Sequence, residues 1–202
     1  MPIIPDNKDW TWVLSRPCPE CGFNASAATP ATVPGIVAGM LPRWRAALLR
    51  PDAQERPDDA TWSVLEYACH VRDVFTLFDQ RLALMLTEDD ARFENWDQDL
   101  TAIEKDYAND DPARVSAALT AEGEQIARSF AHVGEEQWER KGTRSNGSEF
   151  TVLTLAQYFL HDVVHHLHDV GRERVGGERV GGERVERERV ERERVDGERV
   201  DG

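Results

Sequence analysis

His161 and His165 stand four residues apart in LTLAQYFLHDVVHHLHDV, a stretch with strong helical periodicity. At that spacing two imidazoles rise one above the other on one helix face, roughly 5–6 Å apart at Cβ. Such a pair suits two ligands of one divalent metal. His70 lies about ninety residues earlier, in a second helix-like segment. One histidine on an apolar stripe is ordinarily a hydrogen-bonded core residue. Three on two stripes raise a different question, because buried neutral imidazoles cost desolvation unless each nitrogen finds a partner. A shared Zn²⁺, Ni²⁺ or Fe²⁺ would satisfy them together. Three protein ligands would also leave a coordination position for water or substrate, the catalytic arrangement of zinc. On spacing alone the core and metal readings both stand.

Other residues compete for, or could support, that site. His166 is rotated about 100° from His165 and should point away from it. His168 lies three beyond His165 on the same side and is an alternative ligand or a supporting residue. Asp73, three past His70, could hold the other ring nitrogen of a ligand histidine, or could be a solvated helix charge. Cys18-Pro-Glu-Cys21-Gly-Phe resembles half of a zinc ribbon, but no second Cys-x-x-Cys completes it. Cys69 and His132 are conceivable partners that nothing in the spacing selects. A redox dithiol or a tight turn pinning the segment are the other readings. Cys69 itself suits a small buried apolar role. Asn95-Trp96-Asp97-Gln98-Asp99 either lines a pocket mouth or is a surface loop with one anchoring Trp.

Four amphipathic segments must position these groups. The first spans about Thr32 to Leu49, with Thr32 as cap, Pro34 in the first turn and Pro42 predicting a kink. Its stripe is Ile36, Val37, Met40, Leu41, Trp44 and Leu48. The second opens at Ser63-Val-Leu-Glu66, a capping box, and should run to about Leu86. Tyr67, His70, Val74, Leu77, Phe78 and Met85 share one face. Residues 87–98 read as a loop, with a short helix following near Asp99 to Tyr107. The third long helix opens at Asp111-Pro112, carries Val115, Leu119, Ile126, Phe130 and Val133, and ends near Gly134. Residues 134–150 read as a connection with a helical turn near Trp138. The last helix starts near Thr151, with a stripe of Leu153, Gln157, Leu160, His161, Val164 and His165. With no convincing strands, the expected architecture is all-α, an antiparallel four-helix bundle whose core can house a metal.

The chain divides into an irregular arm with the Cys-x-x-Cys over 1–29, the bundle over 30–170, and a repeat tail over 171–202. Its 202 residues carry a net charge of −14. The tail holds nine Arg against eight Glu and two Asp, so nearly all of that charge lies in the rest of the chain. An acidic field disfavours nucleic acid and anionic lipid as partners. Glu-Arg-Val recurs every five residues from Glu173 to Glu198. A five-residue period lines up valines on neither a helix nor a strand, so the tail reads as disordered. No apolar run approaches the ~18–20 residues that span a bilayer. The first ten residues lack the pattern of a signal peptide, and three cysteines cannot form a disulfide scaffold at this size. The expected compartment is the cytoplasm.

One histidine early in the second helix, in EYACHVRDV, plus His-x-x-x-His in the last, in FLHDVVHHLHDV, resembles the metal signature of the DinB-like superfamily. The resemblance covers roughly residues 30–170 and extends to helix order and the long connection before the last helix. It implies one divalent metal, Zn²⁺ before Ni²⁺ or Fe²⁺, held by His70, His161 and His165. It also implies a small-molecule partner and a bundle that can pair as a homodimer. Similar proteins include mycothiol- or bacillithiol-dependent enzymes, such as maleylpyruvate isomerase relatives and thiol S-transferases. The Arg-rich, Lys-poor composition points toward mycothiol. The expected function is therefore thiol-dependent transfer or isomerisation, with a low-molecular-weight thiol presented as a metal-bound thiolate. Metal-dependent hydrolysis and a non-catalytic binding bundle are the alternatives. The superfamily often follows its last motif with Gly-Gln; here Leu167-His168 stands instead, so no role is carried over for that Gln.

Overall fold

The computed structural model describes residues 9–171, and the repeat tail expected from 171 onward lies, after Gly171, outside the described residues. Five helices make up most of the described chain: α1 (Val33–Leu48), α2 (Val64–Thr87), α3 (Gln98–Glu104), α4 (Pro112–Ala131) and α5, helical over residues 152–171. The four long ones form the bundle. α4 packs against both α1 and α2. α5 joins them through Phe159, whose ring meets Phe75 at 5.8 Å, Phe78 at 5.3 Å and Phe130 at 5.8 Å.

α2 is the central element. Its capping box forms as expected: Ser63 Oγ accepts from the Glu66 amide while the Glu66 carboxylate accepts from the Ser63 amide. Arg56 then pairs with the same carboxylate, its Nε 2.9 Å from Oε2. α2 buries residues on every side, from Leu65 and Cys69 to Val71 and Phe75, so the single stripe read from sequence understates its burial. α1 starts at Val33 and carries Pro42 within its span. Thr32 does not cap it by side chain; its Oγ1 accepts from the Thr29 amide at 2.9 Å and closes the preceding turn. α5 is capped reciprocally: Thr151 Oγ1 accepts from the Thr154 amide, and Thr154 Oγ1 accepts from that of Thr151.

The molecule is not strictly all-α. Three short strands, β1 (Ala91–Phe93), β2 (Lys141–Arg144) and β3 (Glu149–Thr151), form one sheet. β1 runs parallel to β2, pairing Ala91 with Gly142, and β2 runs antiparallel to β3, pairing Gly142 with Phe150. Both segments read as connections in the sequence, because strands of three or four residues are too short to display alternation. One signal did exist: Asn146-Gly147 is a hairpin dipeptide, and Gly147 sits at φ +92°. Gly142 is also required, since a Cβ there would meet Met85 Cγ at 2.8 Å and Phe93 Cε1 at 2.9 Å.

α3 is capped by Asp97, and the chain then returns to α2 through Tyr107, which is fully buried. Its hydroxyl donates to Asp73, which also receives Lys105 Nζ at 2.9 Å and Arg72 Nε at 3.0 Å. Arg72 bridges onward to Asp110 at 3.0 Å. Burial works to raise the Asp73 and Asp110 carboxyls, but Arg72, Tyr107 and Lys105 outweigh it at Asp73, and Arg114 with Arg72 at Asp110, holding both below their ordinary values.

Two stability experiments follow from this packing. Gly123 on α4 lies against α1 and α2, where a Cβ would sit 2.3 Å from Leu41 Cδ2 and 2.9 Å from Phe75 Cε2. Gly123→Ala should lower the unfolding free energy by about 1–3 kcal/mol in urea titration, through overpacking. Tyr107→Phe removes a hydrogen bond to a charged acceptor and should cost about 1.5–3 kcal/mol at neutral pH. Asp73 has a depressed folded pKa, so its contribution is present above its unfolded value and lost as pH falls through the folded one. The gap between Tyr107→Phe and wild type should therefore narrow in acid; a gap constant with pH would contradict the assignment.

Candidate metal centre

α5 carries two pairs of potential ligands at the same i,i+4 spacing, offset by one residue. His161 and His165 form one pair; Asp162 and His166 form the other. One residue on an α-helix is about 100° of rotation, so the pairs face different neighbours. Each is met there by ligands from elsewhere in the chain.

His161 and His165 face the N-terminal arm, which crosses α5 as two short 3-10 turns, Thr11–Leu14 and Ala25–Ala27, joined by the Cys18–Phe23 turn. The Gly22 amide donates to Cys18 O at 2.9 Å and the Cys18 amide to Phe23 O at 2.9 Å, with Gly22 at φ +73°. This turn directs Cys18 and Cys21 toward α5. Cys18 Sγ lies 3.6 Å from His165 Nδ1. One ligand atom from each of Cys18, Cys21, His161 and His165 falls within 4.8 Å of all the others. Gln157 pins the end of the arm, its Nε2 donating to Ala28 O at 2.9 Å. Burial, reinforced by the neighbouring His165, lowers the His161 pKa to about 4, and burial raises the Cys21 thiol to about 11. His161 Nε2 is buried with no hydrogen-bond partner.

Asp162 and His166 face α2 and meet His70. His70 is fully buried. Its Nε2 lies 3.3 Å from Asp162 Oδ1, while its Nδ1 has no hydrogen-bond partner. Its ring stacks on Trp96 at 5.3 Å and 15°, and Trp62 packs at 5.5 Å. The His166 ring stands edge-on to it at 4.7 Å. Burial lowers the His70 pKa, against the opposing pull of Asp162. Burial works to raise Asp162, but the His70 hydrogen bond and the adjacent histidines bring it down to about 2. On the far side of His166, Asp169 Oδ2 lies 3.4 Å from Nδ1. Ligand atoms of His70, Asp162 and His166 all lie within 4.8 Å of one another. Two imidazoles, one of them fully buried, and an ionised carboxylate this close together make a donor set that fits a borderline divalent cation.

The cluster opens onto a cleft of about 860 Å³ between α5, α3 and the arm. Trp10, Trp62, Tyr67 and Trp96 contribute aromatic wall, and Asp162 and His166 reach it directly. The stretch Asn95–Asp99 thus lines a pocket mouth. Trp96 is held by its Nε1, which donates to Thr101 Oγ1 at 2.8 Å.

The three histidines expected to share one metal are divided. His161 and His165 go with Cys18 and Cys21; His70 goes with Asp162 and His166. His166 does point away from His165, as its rotation requires, and that direction is toward His70. His168 packs beside His165 at 6.5 Å but belongs to neither group. Asp73 takes its hydrogen bonds from Arg72, Lys105 and Tyr107. Cys69 is buried, its thiol pushed up to about 12 by burial. Sequence reasoning passed over Asp162, although Asp162-x-x-x-His166 repeats the spacing of His161-x-x-x-His165 one position on.

No helix among the described residues is long and apolar enough to cross a membrane. No curated protein sequence matches the chain. Among solved structures, YfiT from Bacillus subtilis superposes with a TM-score of 0.63 at 19% identity, covering 73% of this chain and 87% of that one. YfiT is described as a probable metal-dependent hydrolase with an unusual four-helix bundle topology. The likeness carries the fold. The sequence profile of the DinB superfamily matches residues 43–170, more than half of the chain, and takes in α2, the long connection and α5. The chain belongs to the DinB superfamily.

Proposed function

We propose that the protein is a metal-dependent enzyme whose centre is His70, Asp162 and His166. The observation that carries this reading is the fully buried His70 meeting an ionised carboxylate and a second imidazole, their ligand atoms within 4.8 Å of one another, beside a cleft that Asp162 and His166 line. When bound, a divalent cation there supplies Lewis acidity and lowers the pKa of a nucleophile in its open position. The chain's residues do the rest. His70, clamped between Trp62 and Trp96, is held in one orientation. Asp169 holds the far nitrogen of His166, as carboxylates do behind metal-ligating histidines. Trp10, Tyr67 and Trp96 provide apolar walls for a substrate.

Two imidazoles and one carboxylate are the ligand type of zinc hydrolases. Hydrolysis by metal-activated water is therefore the first reading, in keeping with the description of YfiT. Asp97, Asp99, Asp162 and Asp169 line the cleft with Arg144, which favours a neutral or cationic small substrate over a dianion. Transfer or isomerisation through a low-molecular-weight thiol is the second reading. It is favoured by the cleft's volume, near the upper end of small-molecule sites and roomy enough for two reactants. Three free cysteines suit a reducing, cytoplasmic setting.

Metal analysis of purified protein tests the centre. His166→Ala should lose one metal equivalent, and Asp169→Asn should weaken that metal's affinity by about 10–100-fold. Metal content indifferent to His166→Ala would contradict the proposal. Adding a small thiol to Co²⁺-loaded protein separates the two chemistries. New thiolate charge-transfer absorption supports the transferase, and an unchanged spectrum with hydrolysis of model esters or amides supports the hydrolase.

A further inference from the structure

Cys18 and Cys21 take no part in the cluster at His70, and neither proposed chemistry uses them. Nor does either use His161, whose Nε2 is buried without a partner. A tetrahedral zinc with bonds of about 2.3 Å to sulfur and 2.0–2.1 Å to nitrogen has ligand-to-ligand edges of roughly 3.3–3.8 Å. The 3.6 Å between Cys18 Sγ and His165 Nδ1 is already such an edge. The remaining separations are all under 4.8 Å. His165 Nε2, on the opposite side of its ring, lies 3.8 Å from Glu20 Oε2 and 3.7 Å from Asp169 Oδ2. Carboxylates lie on that side of the ring, and Nδ1, facing Cys18, is the nitrogen placed to coordinate.

We propose that Cys18, Cys21, His161 and His165 form a closed zinc site that latches the N-terminal arm to α5. Zn²⁺ replaces the two thiol protons, which leave to solvent, and accepts lone pairs from two neutral imidazoles; no electron is transferred. Four protein ligands fill the tetrahedron, so this zinc is structural. It reaches the cleft through His161 and His165, which line it, and through Trp10, which packs on His161 at 5.7 Å and on His165 at 5.4 Å and forms part of the wall. The latch would thus fix one side of the substrate cleft by fixing the arm. It does not depend on what the His70 cluster does.

The test uses the full chain reconstituted with Co²⁺ or Zn²⁺. Co²⁺-loaded wild type should show thiolate-to-cobalt charge-transfer absorption without any added thiol. Cys18→Ser/Cys21→Ser should lose that absorption and one zinc equivalent, while His166→Ala keeps the absorption. Zinc should also protect Cys18 and Cys21 from alkylation. Should the double variant fail to fold, the two wild-type measurements decide. Co²⁺-loaded wild type without thiolate absorption, or alkylation of both cysteines at the same rate with and without zinc, would overturn the latch. Either result leaves the His70 centre to be judged by His166→Ala alone.

Discussion

Everything at this end of the bundle depends on satisfying imidazole nitrogens that α5 takes out of water. His161 and His165 are buried, and His166 is half-buried. Each desolvated nitrogen without a partner costs free energy that packing alone does not return. Helical geometry sets how the problem can be solved. Residues four apart stack on one face, and the next residue along starts a second face about 100° away. α5 uses both faces. One turns its pair to the Cys18–Phe23 turn of the arm, and the other turns its pair to His70 on α2.

The rest of the architecture is arranged to hold those two faces. α2 is fixed at its start by the Ser63 and Glu66 box, one turn before His70. Below His70, the Asp73 network ties α2 to Tyr107 and so to α3. α3 in turn anchors Trp96 through Thr101, and Trp96 covers the His70 ring. The arm is tethered to α5 by Gln157 as well as by the cysteine turn. The cleft is what lies between these supports, with the arm as one wall and the α3 loop as another.

Much of this was legible in the chain. The capping box, the Asp111-Pro112 start of α4, the turn near Trp138 and the helix order all follow from local chemistry that tertiary context did not override. The strands were hard to read, because each is too short to show a period and β1 pairs with β2 across about fifty residues; only the Asn146-Gly147 turn between β2 and β3 left a local signal. The histidines mark the sharper limit. Spacing showed that His161 and His165 share a face, and it put His166 on another. It could not show which face meets α2, because that depends on the rotation of α5 about its axis in the packed bundle. Residues such as Val152, Leu155, Phe159 and Val163 set that rotation. The expected stripe through Leu153, Leu160 and Val164 contains none of these four, and Leu153 and Val164 are only half-buried. Cys18 and Cys21 looked like half a site for the same reason: their partners lie far along the chain, on a helix already read as serving another purpose.

In this reading α5 serves two separate ligand sets, one on each face. Anomalous diffraction at the zinc edge, on crystals of the full chain grown with zinc, tests it most directly. Two peaks are expected, one among Cys18, Cys21, His161 and His165 and one among His70, Asp162 and His166. A single peak shared by His70, His161 and His165, with the cysteines unligated, would contradict it.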